Sequence, residues 1–79
     1  MHLYLIINFN DSKYSTEVLK NSILVERKYL VLKVQEMIKH GKIDWDVIRE
    51  GDYTIEEMST DTAIKLLEDC GYILQEYEI

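Results

Sequence analysis

No proline interrupts the chain, and three glycines, Gly41, Gly51 and Gly71, are its strongest breaks across 79 residues. Proline and glycine are the residues that end helices and strands most sharply. Their scarcity predicts a few ordered elements joined by short connections, with no flexible linker. A chain of this length forms one domain over residues 1–79 and hides roughly 60–65 % of the surface its unfolded form exposes. The apolar share of 47 %, with six tyrosines and one tryptophan, suits a packed core and not a disordered acidic tail.

His2–Phe9 alternates as a strand, with Leu3, Leu5, Ile7 and Phe9 on one face and His2, Tyr4, Ile6 and Asn8 on the other. Apolar residues on both faces suit a central strand. Asn10-Asp11-Ser12 reads as a turn and Ser15 as a helix N-cap. Residues 16–40 admit two readings. Leu19, Ile23, Leu30, Val34 and Met37 share a helical face that Gly41 would close. Ile23–Val34 could instead be a hairpin turning at Glu26-Arg27-Lys28, and the long helix is favoured. Asp44–Arg49 and Tyr53–Met58 read as two strands around a Glu50-Gly51-Asp52 hairpin loop. A helix over Thr62–Cys70 follows, with Ala63, Leu66, Leu67 and Cys70 on one face, and Tyr72–Ile79 is a final strand. The order strand, helix, strand, strand, helix, strand predicts an α+β fold. Its form would be a ferredoxin-like sandwich, with two helices on one face of a four-stranded antiparallel sheet.

In that sandwich Leu3, Leu5, Ile7, Phe9, Trp45, Val47, Tyr53, Ile55, Ile73 and Tyr77 would face the helices. Tyr4, Ile6, Ile48, Met58, Tyr72 and Leu74 would lie on the open face. An apolar centre of that kind inside a charged rim is the anatomy of a protein interface. Tyr4, Ile6, Ile48, Met58 and Leu74 are therefore the candidates for a homodimer face.

The charge is divided along the sequence. Residues 1–43 carry seven Lys/Arg against four Asp/Glu, and residues 44–79 carry two against eleven. A field of that second kind attracts cationic surfaces and repels nucleic acid and anionic lipid. The candidate partner-binding residues are Asp44, Asp46, Glu50, Asp52, Tyr53, Glu56, Glu57, Tyr72, Glu76 and Glu78. Carboxylates presented in this way can enter a Lys/Arg-lined groove that ordinarily holds phosphates, with tyrosines supplying apolar contact area.

Several chemistries find no support in the residues. Asp44-x-Asp46 with Glu50 and Asp52 departs from a calcium loop, because no glycine stands at its sixth position and Ile55 stands at its twelfth. His2, His40 and Cys70 are not tied by any local pattern into a metal site or a nucleophile–base pair. There is no glycine-rich phosphate loop, and a pI of about 4.7 argues against direct nucleic-acid binding. No catalytic residue, metal or cofactor is predicted. A single cysteine cannot form an internal disulfide, and Leu3–Ile7 is too short for a signal-peptide core or a membrane span. Asn10-Asp11-Ser12 also fits a glycosylation pattern, without an export signal to make it matter. The expected compartment is the cytoplasm, that of the host if the chain is phage-encoded.

These properties together predict a non-enzymatic module that binds a larger basic protein, one that handles nucleic acid, and inhibits it. In its general profile, small, acidic and α+β, the whole chain resembles phage-encoded inhibitors of host defence such as anti-CRISPR and anti-restriction proteins, some of which mimic nucleic acid. The alternatives are a homo-oligomeric regulatory or structural domain pairing through its open sheet face, and a small-ligand sensor.

Overall fold

The computed structural model describes residues 1–8 and 22–79. Strand β1 (His2–Asn8) is the centre of a three-stranded antiparallel sheet, flanked by β2 (Ile23–Glu26) and β3 (Tyr72–Glu78). A short 3-10 turn, Arg27–Tyr29, leads into helix α1 (Leu30–Lys39), and helices α2 (Trp45–Glu50) and α3 (Thr60–Asp69) follow. Pairing is unbroken from His2↔Glu78 to Asn8↔Tyr72 on one side of β1, and from Leu3↔Glu26 to Ile6↔Ile23 on the other.

The helices form by local rules. In α1 the residues Leu30, Val34, Met37 and Ile38 recur at helical spacing and are buried. The helix ends in a Schellman motif: Gly41 stands at φ +72°, its N–H donates to the Ile38 carbonyl and that of Lys42 to the Met37 carbonyl. Asp44 caps α2 through its carboxylate, which accepts the Asp46 N–H at 2.8 Å. Ser59 caps α3 in the same way from the Thr62 N–H at 3.2 Å, and Ala63, Leu66 and Leu67 are fully buried.

Helices α1 and α3 pack on one face of the sheet, and α2 packs against α3 with Ile48 in the same core. That face is made by Tyr4 and Ile6 of β1, Ile23 and Val25 of β2, and Tyr72 and Leu74 of β3. Leu30, Val34, Met37, Ile38, Ile43, Ile48, Met58, Ala63, Leu66 and Leu67 complete the core. The core is apolar throughout, with no buried polar side chain among the described residues.

Three expectations from the sequence are corrected. The fold is α+β, but among the described residues it has three strands and three helices, and not a ferredoxin-like four-stranded order. Asp44–Arg49 is a capped helix because Asp44 accepts the free N–H of Asp46 and Asp46 pairs with Arg49 at i, i+3. Tyr53–Met58 is a loop that fixes itself to α1 by accepting the Gln35 side-chain N–H on the Ile55 carbonyl at 2.9 Å. Glu50-Gly51-Asp52 is consequently a helix end instead of a hairpin loop. The left-handed residue there is Asp52, at φ +53°, and the N–H of Tyr53 returns to the Ile48 carbonyl.

Residues 22–34 are neither one helix nor a hairpin, since Ile23–Glu26 pairs with β1 and the helix starts only at Leu30. The facing of the sheet is also the reverse of the expected one. Tyr4 and Ile6 point into the core, so Leu3, Leu5, Leu24, Ile73 and Tyr77 belong to the face turned away from the helices. Because side chains alternate with period two, choosing the wrong face of β1 inverts the whole strand. Tyr4, Ile6, Ile48 and Met58, expected on an open oligomer face, are buried, and Leu74 is half-buried against the same core. Phe9, the turn at Asn10 and the cap at Ser15 lie outside the described residues.

Candidate functional site

The residues expected to bind a partner, eight carboxylates and two tyrosines, divide into three groups. Asp44, Asp46, Glu50, Asp52 and Tyr53 stand on or beside α2. Glu56 and Glu57 are exposed in the loop that follows. Tyr72, Glu76 and Glu78 belong to β3, where Tyr72 starts the strand beside the loop that leads into α2 and the two glutamates follow at its far end. No single patch joins all ten.

The α2 group is the one with density of charge and a large apolar side chain. Trp45 occupies the first position of α2 and is 51 % exposed, directly between Asp44 and Asp46. Helix α3 brings its C-terminal turn to the same place. The Tyr53 hydroxyl donates to the Asp69 carboxylate, and the charges of both Asp44 and Asp69 act on the Cys70 thiol. Asp69 thus joins the α2 carboxylates, although it is not among the residues expected from the sequence. A signal did exist. Glu68 and Asp69 stand in the last turn of α3, which has no basic residue, and carboxylates there oppose the helix dipole.

Burial pushes the Tyr53 phenol up to about 12, and the hydrogen bond to Asp69 adds to this because it favours the protonated form. Burial is also the main cause that raises the Cys70 thiol; a hydrogen bond with the Asp44 backbone works against it, and the nearby carboxylates reinforce it. Neither group is poised to titrate as a general base or nucleophile near neutral pH. Asp46 is neutralised in part by Arg49, whereas the segment from Glu50 to Glu57 includes four carboxylates and no basic residue.

On β3 the carboxylates serve the sheet. His2 lies between them, with Nε2 bonded to Glu76 and Nδ1 at 3.7 Å from Glu78. The Tyr72 hydroxyl donates to the Lys42 carbonyl at 2.8 Å and pins the start of β3 to the loop after α1. A shallow depression of about 430 Å³ lies near His2, lined also by Met1, Glu26, Arg27, Lys28 and Thr60. Its cations already have partners: Arg27 donates to Asp61 at 3.4 Å and to the Tyr4 hydroxyl, and Lys28 is 3.9 Å from Glu26.

Among the described residues no group of three or more His, Cys, Asp or Glu side chains is placed to hold a metal ion. No helix among them is long and apolar enough to cross a membrane. Compared with known proteins, the chain matches no family model, no curated protein and no solved structure.

Proposed function

We propose that the chain is a non-enzymatic binding module whose acidic α2 surface docks on a larger basic protein, one that handles nucleic acid, and blocks its phosphate-binding groove. The observation that carries this reading is Trp45, half-exposed between two aspartates on a surface whose neighbouring carboxylates largely lack cationic partners among the described residues. Tryptophan is the residue type that most often anchors a protein interface, and a ring of charge around it excludes wrong partners while speeding encounter. The acidic last turn of α3 extends the same surface against the helix dipole, an arrangement that folding alone does not favour.

The test is affinity capture of the tagged chain from a nuclease-treated lysate at low and high salt, run beside Asp46→Lys/Glu50→Lys and Trp45→Ala chains. Expected is a nucleic-acid-handling protein held at low salt, released at high salt, and lost from both variants while their circular dichroism is unchanged. A partner retained equally by all three chains would overturn the assignment of the surface.

A further inference from the structure

We propose that two copies of the chain join edge to edge through β3, antiparallel about a two-fold axis at Gln75, making a continuous six-stranded sheet. This is a separate surface from the acidic one on α2, and separate from any pairing through the face of the sheet.

Met1 and Ile79 exchange both of their backbone hydrogen bonds, Ile79 N–H to the Met1 carbonyl at 2.8 Å and Met1 N to the Ile79 carbonyl. In an antiparallel ladder such pairs alternate with pairs that exchange none. The register runs unbroken from there, so Leu3–Tyr77, Leu5–Gln75 and Ile7–Ile73 are also bonded pairs. Tyr77, Gln75 and Ile73 therefore turn their N–H and C=O groups inward to β1. Leu74 and Glu76 turn theirs outward, and among the described residues β3 is an edge strand.

That parity restricts how a second β3 can pair. Residues with outward backbone groups must meet one another, which leaves a few registers. Only one aligns all seven residues: Leu74 opposite Glu76 of the second copy, Ile73 opposite Tyr77, and Gln75 opposite itself on the axis. Moving the register two residues one way sets Glu76 against its own copy, a like-charge contact. Moving it the other way sets Ile73 against Gln75 and leaves Tyr77 unpaired. In the favoured register Leu74 and Glu76 exchange four backbone bonds across the seam. Ile73 and Tyr77, each 45 % exposed, form two apolar cross-strand pairs at the closer spacing.

Apart from the glutamates Glu76 and Glu78, the strand lacks the devices that protect an edge. β3 holds no lysine and no proline, and no bulge interrupts its pairing with β1. Its two glutamates are drawn back toward β1 by His2. The opposite edge, β2, is four residues long and ends in the 3-10 turn, too short for the same contact.

The experiment is sedimentation of the full chain across a concentration series, with cysteine cross-linking to read the register. A species of twice 9.4 kDa is expected to grow with concentration. Glu76→Pro removes an outward N–H, which an edge strand tolerates, together with the Glu76–His2 contact, so Glu76→Gln serves as its control. Glu76→Pro should weaken self-association about tenfold through the two bonds lost per dimer. In a Cys70→Ser background, Gln75→Cys should link into a disulfide dimer on mild oxidation. Residues facing each other in such a pair are about 4.5 Å apart at Cα, within disulfide reach. Ile73→Cys, roughly 14 Å from its own copy by strand rise, should not link. A monomer at every concentration, or equal linking of Gln75→Cys and Ile73→Cys, would overturn the proposal. The cross-linking arm decides the matter even if Glu76→Pro fails to fold.

Discussion

The hydroxyl of Tyr53 donates to the carboxylate of Asp69, and this bond ties the end of α2 to the last turn of α3. It holds the phenol in its protonated form, with burial as the larger cause, and the group is pushed up to about 12 from 10.0. A folded-state value raised above the unfolded one stabilises the fold fully below the unfolded value and is lost as pH climbs through the folded one. Stability should therefore fall between about pH 10 and 12. Absorbance titration near 295 nm should include a tyrosine step displaced upward from 10.0, and Tyr53→Phe should remove that step at a cost of about 1 kcal/mol.

The same ring explains Gly51. A Cβ built on Gly51 would lie 2.2 Å from the Tyr53 ring, so the ring occupies the space a side chain would need. Gly51→Ala must displace Tyr53 and break its bond to Asp69. A loss of about 1–3 kcal/mol is expected in urea unfolding, with the raised Tyr53 step moving down toward 10.0. Gly51→Ala with an unchanged titration would contradict this account of the ring.

Burial sets the behaviour of Cys70. Its raised thiol leaves less thiolate than an ordinary cysteine at a given pH. Reaction with a disulfide reagent at pH 8 should be slower in the folded chain than in urea. Asp69→Asn should speed the folded reaction, since it removes one of the charges that raise the thiol. Equal rates for folded and unfolded chains would contradict the placement of Cys70.

Glu68 offers a separation of stability from binding. It stands in the acidic last turn of α3, so Glu68→Lys should stabilise the fold by roughly 0.3–1 kcal/mol through the helix dipole. The same change should weaken docking at the acidic surface. By contrast Leu66→Ala, at a fully buried position, should cost about 2–5 kcal/mol. Thermal and urea unfolding measure both.

The sequence shows β1, α3 and β3 clearly because their apolar residues repeat at one period over seven or more residues. The helix α2 is hidden by its length. Six residues with Trp45 and Val47 two apart imitate a strand, and only the cap at Asp44 and the Asp46–Arg49 pair reveal a helix. The loop Tyr53–Met58 imitates a strand for a similar reason, since Tyr53 and Ile55 both rest on the core while Met58 is buried beyond them. β1 misleads about facing because both of its sides are apolar, and the choice between them depends on where the helices land. The acidic density of the second half was legible from composition. Its division between α2, a loop and β3 was not, since that follows from α2 being a helix.

Trp45, the sole tryptophan of the chain, gives the most direct test of the docking surface. Labelled as 5-fluorotryptophan, it should give one 19F resonance, shifted by exchange into heavy water because the ring is half-exposed. On adding the captured basic partner that resonance should move or broaden, lose its sensitivity to heavy water, and recover at high salt. A resonance that stays in place while the partner is demonstrably bound would contradict docking through α2.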